Sequence, residues 1–146
     1  MRYKFRGKRV DNGKWVEGYL IQSIAIGKAW IKDTNDKYTN PRVLADDYAD
    51  FRCVEVIPES IGQYVGLNDS KRTKEYPEGQ EIYEGDFIKD AQGSIYIVYW
   101  DKGECAFKLD YKYYHHRDKD ECHTYLPMYS RKGEVIGNIH DKEDTP

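Results

Sequence analysis

Tyr111, Lys112, Tyr113, Tyr114, His115, His116 and Arg117 stand in one unbroken run, three rings and two imidazoles interleaved with two cations. On a sheet edge such a run can stack its rings on unpaired bases while its cations meet phosphates, which is the chemistry of single-stranded nucleic-acid binding. Tyr111, Lys112, Tyr113, Tyr114 and Arg117 are therefore candidate binding residues. Tyrosine is equally the material of protein interfaces. Asp118, Asp120 and Glu121 follow directly and oppose phosphate, so the interface reading is preferred and nucleic acid is kept as the alternative.

Metal and nucleophile chemistry find less support. His115, His116, Cys122 and His123 fall within nine residues, but their spacing fits no common zinc pattern. Adjacent Cys122 and His123 would point to opposite faces of a strand. No metal site and no cofactor are expected. Cys53, Cys105 and Cys122 are odd in number and lack CxxC spacing, which suits reduced thiols rather than a disulfide framework. Nothing around them suggests a lowered thiol pKa. Ser23, Ser60, Ser70, Ser94 and Ser130 sit in no nucleophile-elbow pattern. Acidic pairs such as Asp46 with Asp47, or Glu84 with Asp86, arise by accident in a chain with 26 acidic residues. No catalytic residue is assigned, and the chain is read as a non-enzyme.

The elements that must carry these residues are strands. Leu, Ile, Val and Phe make up only 29 of 146 residues, yet 14 Tyr and 3 Trp supply large rings and the formal net charge is only −3. Such a chain folds around a thin, Tyr-rich core. Tyr3 and Phe5 alternate with basic residues, Asp11-Asn12-Gly13 makes a hairpin turn, and Lys14 to Ile21 returns. A second pair is expected from Leu20 to Ile26 and Lys28 to Lys32, pivoting on Gly27. Pro41 opens a short helical turn through Val43 to Tyr48, and Phe51 to Ile57 reads as a strand ended by Pro58. Further strands are expected at Phe87 to Lys89, Ile95 to Trp100, Glu104 to Leu109 and Glu134 to His140, between glycine turns. This spacing indicates an antiparallel barrel or small sandwich. The fold class is mainly β, with an N-terminal β-rich unit over 1–66, a connecting loop over 67–80 and a C-terminal unit over 81–146.

Three stretches, KFRGKRVDNGKWVEGYLI, IPESIGQYVGL with EIYEGDFIK, and EVIGNIHD, together resemble the YopX family encoded by temperate phages and by prophages in bacterial genomes. The likeness runs from Lys4 to Asp141 and rests on the order and spacing of Gln63-Tyr64, Gly66-Leu67, Ile82 to Asp86, and Gly137 to Ile139. It implies a β-rich phage protein whose C-terminal half is similar to an SH3-like barrel and which assembles into oligomers, with no enzymatic activity. Between the GL and IYEGD motifs this chain carries the longer NDSKRTKEYPEGQ, where a short turn is usual in the family. The extension is expected to form a mobile, partly helical loop.

In these motifs Gly85 is expected at positive φ, with Asp86 closing the turn through nearby backbone N–H groups. Gly66, Gly137 and Asn138 are likewise read as turn or bulge positions. The longest apolar run, Ile95 to Trp100, falls far short of the roughly 20 residues that span a bilayer, and the N-terminus lacks the apolar stretch of a secretion signal. A cytoplasmic protein in a bacterial host, without membrane contact, is expected. Strands that need cover on both faces point to homo-oligomerisation, and the resemblance implies phage or host protein partners.

Overall fold

A computed structural model describes residues 3–33, 53–113, 123–125 and 133–141; of 111–113 and 123–125 it describes the strand backbone. The chain is mainly β, in two compact units that divide between Gln63 and Tyr64. The expected helical turn at 43–48 lies outside the described residues.

The N-terminal unit holds β1 (Phe5–Lys8), β2 (Trp15–Ser23), β3 (Lys28–Asp33), β4 (Cys53–Val56), a 3₁₀ turn (Pro58–Ser60) and the start of β5 (Gly62–Asn68). Its strands lie in the order β4-β3-β2-β1-β5, all antiparallel. Asn12 Oδ1 accepts the Lys14 N–H at 2.9 Å and Gly13 takes φ 70°, so the Asp-Asn-Gly turn closes the first hairpin as its sequence dictates. The two strands expected from Lys14 to Ile26 are one continuous strand. It ends at Ser23, and Ile24 to Gly27 form the tip, with Gly27 at φ 64°. Val16, Ala29, Ile31 and Val56 are buried, with Phe5, Leu20, Val54 and Ile61 packed against them. Gly7 belongs to this core because a Cβ there would stand 3.0 Å from that of Val56. A single bridge, Arg9 to Val56, brings the end of β1 back to β4.

The C-terminal unit holds the rest of β5, then β6 (Glu81–Tyr83), β7 (Asp86–Lys89), β8 (Ile95–Asp101), β9 (Ala106–Tyr113), β10 (His123–Tyr125) and β11 (Glu134–Asn138). β6 pairs with β5, and the other five form an antiparallel sheet in the order β10-β9-β8-β7-β11. Ile82, Ile88, Tyr96, Val98 and Leu109 are its buried core. Phe87 and Tyr83 are buried too, so the missing aliphatic mass is indeed supplied by rings. Asp90 organises the β7–β8 turn: Oδ1 accepts the N–H groups of Gln92 and Ser94, and Oδ2 accepts the Tyr96 hydroxyl.

Numbering the strands of each five-strand order from its own start gives 4-3-2-1-5 in both units. The sheets do not close into barrels among the described residues. Among the described residues no ladder joins β10 to β11, because the outer edge of β11 bonds to Asp69 and Ser70 instead. The extension expected to be mobile and partly helical contains no helix. It is tied to β11 and to its own far end by hydrogen bonds.

Candidate functional site

Two of the motif segments meet at one corner of the C-terminal sheet. Gly85 takes φ 90°, its N–H donates to the Val98 carbonyl and its carbonyl accepts the Ile139 N–H, both at 2.9 Å. Asp86 is fully buried, its Oδ2 accepts the Tyr83 N–H at 2.8 Å, and its strand position pairs with Asn138. Asn138 Oδ1 accepts the N–H groups of His140 and Asp141, while its Nδ2 donates to Asp141. Gly137 sits at the bulge where β11 shifts register against β7. These contacts give Gly85, Asp86, Gly137 and Asn138 a joint structural role as a clasp. Gly66 stands apart in β5, at φ 87° within another register shift.

The aromatic and basic run is placed only in part. Tyr111 to Tyr113 continue β9 beside β8, with Tyr96 opposite Tyr111 and Ile95 opposite Tyr113, which leaves Lys112 as the extra residue of a bulge. β10 pairs with β9 only from Lys108 to Asp110. Tyr114, Arg117, His115, His116 and Cys122 lie outside the described residues. Among the described residues no group of three His, Cys, Asp or Glu side chains converges to hold a metal, and Cys53 and Cys105 form no disulfide.

One surface was not anticipated. Cross-strand partners share a face, so Trp15, Glu17, Tyr19 and Ile21 of β2 lie on the same side as Lys28, Trp30 and Lys32 of β3 and Glu55 of β4, opposite the core. Tyr19 and Ile21 are 47% and 48% exposed, and Ile24 and Ile26 at the hairpin tip are 98% and 62% exposed. Four large apolar side chains thus stand in water on one hairpin. The rim carries both signs: Lys4 pairs with Glu17 at 3.2 Å and Lys28 with Glu55 at 3.8 Å. Arg6 and Lys8 stand 4.7 and 5.5 Å from the Trp15 ring centre, so that ring already meets cations of its own chain. The signal was present in the sequence. Tyr19, Leu20 and Ile21 are consecutive apolar residues in a strand, and alternation forces some of them outward.

A second charged cluster is structural. Lys108 is buried, and its Nζ lies 3.0 Å from both Asp101 and Glu104. The two carboxylates raise its pKa well above the usual lysine range, and Lys108 in turn holds Asp101 below the usual carboxylate range. Burial raises the Tyr99 hydroxyl, against the pull of Lys108.

Two antiparallel sheets, of six and five strands, the second with its EGD and GN motifs clasped at one corner, define a mainly β protein. A family model described as YopX protein matches residues 4–144. The chain belongs to the YopX protein family. No curated protein matches it.

Proposed function

We propose that this is a non-enzymatic phage or prophage accessory protein, working in the cytoplasm of the bacterial host through homo-oligomer assembly and protein contacts. The observation that carries this reading is the exposed quartet of Tyr19 and Ile21 on the outward face of the N-terminal sheet and Ile24 and Ile26 at the tip of the same hairpin. Apolar side chains gathered in this way mark interaction sites. The occupant is a second copy of the chain. Its rim carries Lys28 and Lys32 beside Glu17 and Glu55, so a two-fold axis can set each sign against the other, as a closed symmetric interface requires. The antiparallel β10-β9-β8-β7-β11 order of the C-terminal unit is consistent with kinship to small SH3-like barrels, although its sheet is open among the described residues. Light scattering tests the assignment: wild type should scatter as an oligomer and the Ile24→Lys, Ile26→Lys variant as a monomer. Equal masses for the two proteins would remove this face from the assembly.

A second reading is single-stranded nucleic-acid binding through Tyr111 to Arg117. It is favoured by β9 running past the end of β10, which leaves Tyr111 to Tyr113 laddered on one side among the described residues. Anisotropy of a labelled oligonucleotide should then rise on titration at low salt and fall as salt is added. A flat titration at low salt excludes the idea.

A further inference from the structure

Strand β11 lies at one edge of the C-terminal sheet, laddered to β7. Glu134 stands opposite Lys89 on β7, and the Gly133 carbonyl and the Val135 N–H, one residue to either side, bond to residues outside the sheet and so serve its outer edge. Both are occupied. The Ser70 N–H and hydroxyl donate to the Gly133 carbonyl at 2.9 and 2.8 Å, and the Val135 N–H donates to Asp69 Oδ2 at 2.9 Å. These are the groups that an incoming strand would bond. The Ser70 N–H takes the place of its donor and the Asp69 carboxylate the place of its carbonyl.

The mimic is held in position from behind. Asp69 is only 2% exposed, and its Oδ1 accepts the N–H groups of Gln80 at 2.8 Å and Lys71 at 3.3 Å. Its own N–H donates to the Gln80 carbonyl at 2.8 Å, and Arg72 donates to the Asp69 carbonyl at 2.6 Å. Gly79 lets the far end close: it sits at φ 88°, and a Cβ there would collide with the Asp69 carbonyl and Arg72. Lys71 pairs with Glu134 at 3.3 Å.

We propose that Asp69 to Lys71 form a built-in cap that keeps the β11 edge closed to strand addition by a second copy of this chain. Edge strands pair readily unless they are covered. β11 is its own complement. Antiparallel pairing of two copies about Glu134 lets each Gly133 carbonyl accept the other copy's Val135 N–H. Such pairing also sets two Glu134 carboxylates face to face, which is unfavourable, whereas the capped form sets Glu134 against Lys71. Cap and charge therefore act in the same direction.

The test is made in the Ile24→Lys, Ile26→Lys background, so that the surface proposed above does not contribute. Asp69→Ala, and Asp69→Ala with Glu134→Gln, are compared with the background by sedimentation velocity and by amide hydrogen exchange at Val135. Near-UV circular dichroism checks the fold; if Asp69→Ala unfolds, Ser70→Pro with Glu134→Gln, which removes the Ser70 N–H, is read in its place. The expected result is a doubled mass at tens of micromolar, with Val135 exchanging fast when dilute and slowly when associated. A folded variant that exchanges faster at Val135 yet keeps the background's mass overturns the proposal. So does association that leaves Val135 unprotected, and so does a variant that changes neither mass nor exchange.

Discussion

Asp86 shows how much one buried carboxylate contributes in a protein with a thin core. It has no exposed surface, and its Oδ2 accepts the Tyr83 N–H across the Glu84-Gly85 turn. Asp86→Ala leaves that donor without its acceptor, a cost of about 1–3 kcal/mol, and urea denaturation should show a midpoint lowered to match. At Asp101 the effect depends on pH. Its pKa is lowered chiefly by the hydrogen bond from Lys108, so its contribution is present above the ordinary carboxylate pKa of about 4 and is lost as pH falls through the lower folded value. Lys108 has a raised pKa, so its contribution is present below the ordinary lysine value and lost as alkali carries pH through the folded one. Thermal melts between pH 2 and 7 should therefore show a steeper acid loss in wild type than in Asp101→Asn. Parallel curves would mean that the pair does not couple ionisation to folding.

At the scale of the element, the core face and the tip of the β2–β3 hairpin make opposite predictions from the same residue type. Ile31 is fully buried and Ile24 almost fully exposed. Ile31→Ala should cost about 2–5 kcal/mol in denaturant unfolding, and Ile24→Ala should stay within about 0.5 kcal/mol at concentrations where the protein is monomeric. Local chemistry made the hairpins legible: Gly13, Gly27, Gly85 and Gly93 all take the positive φ that their turn contexts require. It made β8 legible as well, since Ile95 to Trp100 is rich in β-branched and aromatic residues. The cap formed by Asp69 to Lys71 was not legible. Asp69 and Ser70 look like ordinary loop residues, and their partners at the β11 edge lie more than sixty positions away. Nor could alternation fix the ends of β9, expected from Glu104 to Leu109: Cys105 takes φ 50° in the turn, and the strand runs from Ala106 to Tyr113.

The whole molecule repeats one strand order in two units whose sequences show no fixed period. The long-range ladders β1–β5 and β7–β11 create that order, and pairing across such distances leaves no periodic trace in the chain. Abundant tyrosine did suggest shared surfaces. Tyr83 and Tyr96 are interior and Tyr3, Tyr19 and Tyr76 exposed, and four of the exposed large apolar side chains, Tyr19, Ile21, Ile24 and Ile26, fall on one hairpin. Assembly through that face is the central claim, and sedimentation velocity on the wild-type chain from low to high micromolar concentration tests it most directly. A mass that rises with concentration to a fixed small multiple of 17.2 kDa, and that Ile24→Lys with Ile26→Lys returns to the monomer, is the predicted result. A monomer at every concentration would contradict it.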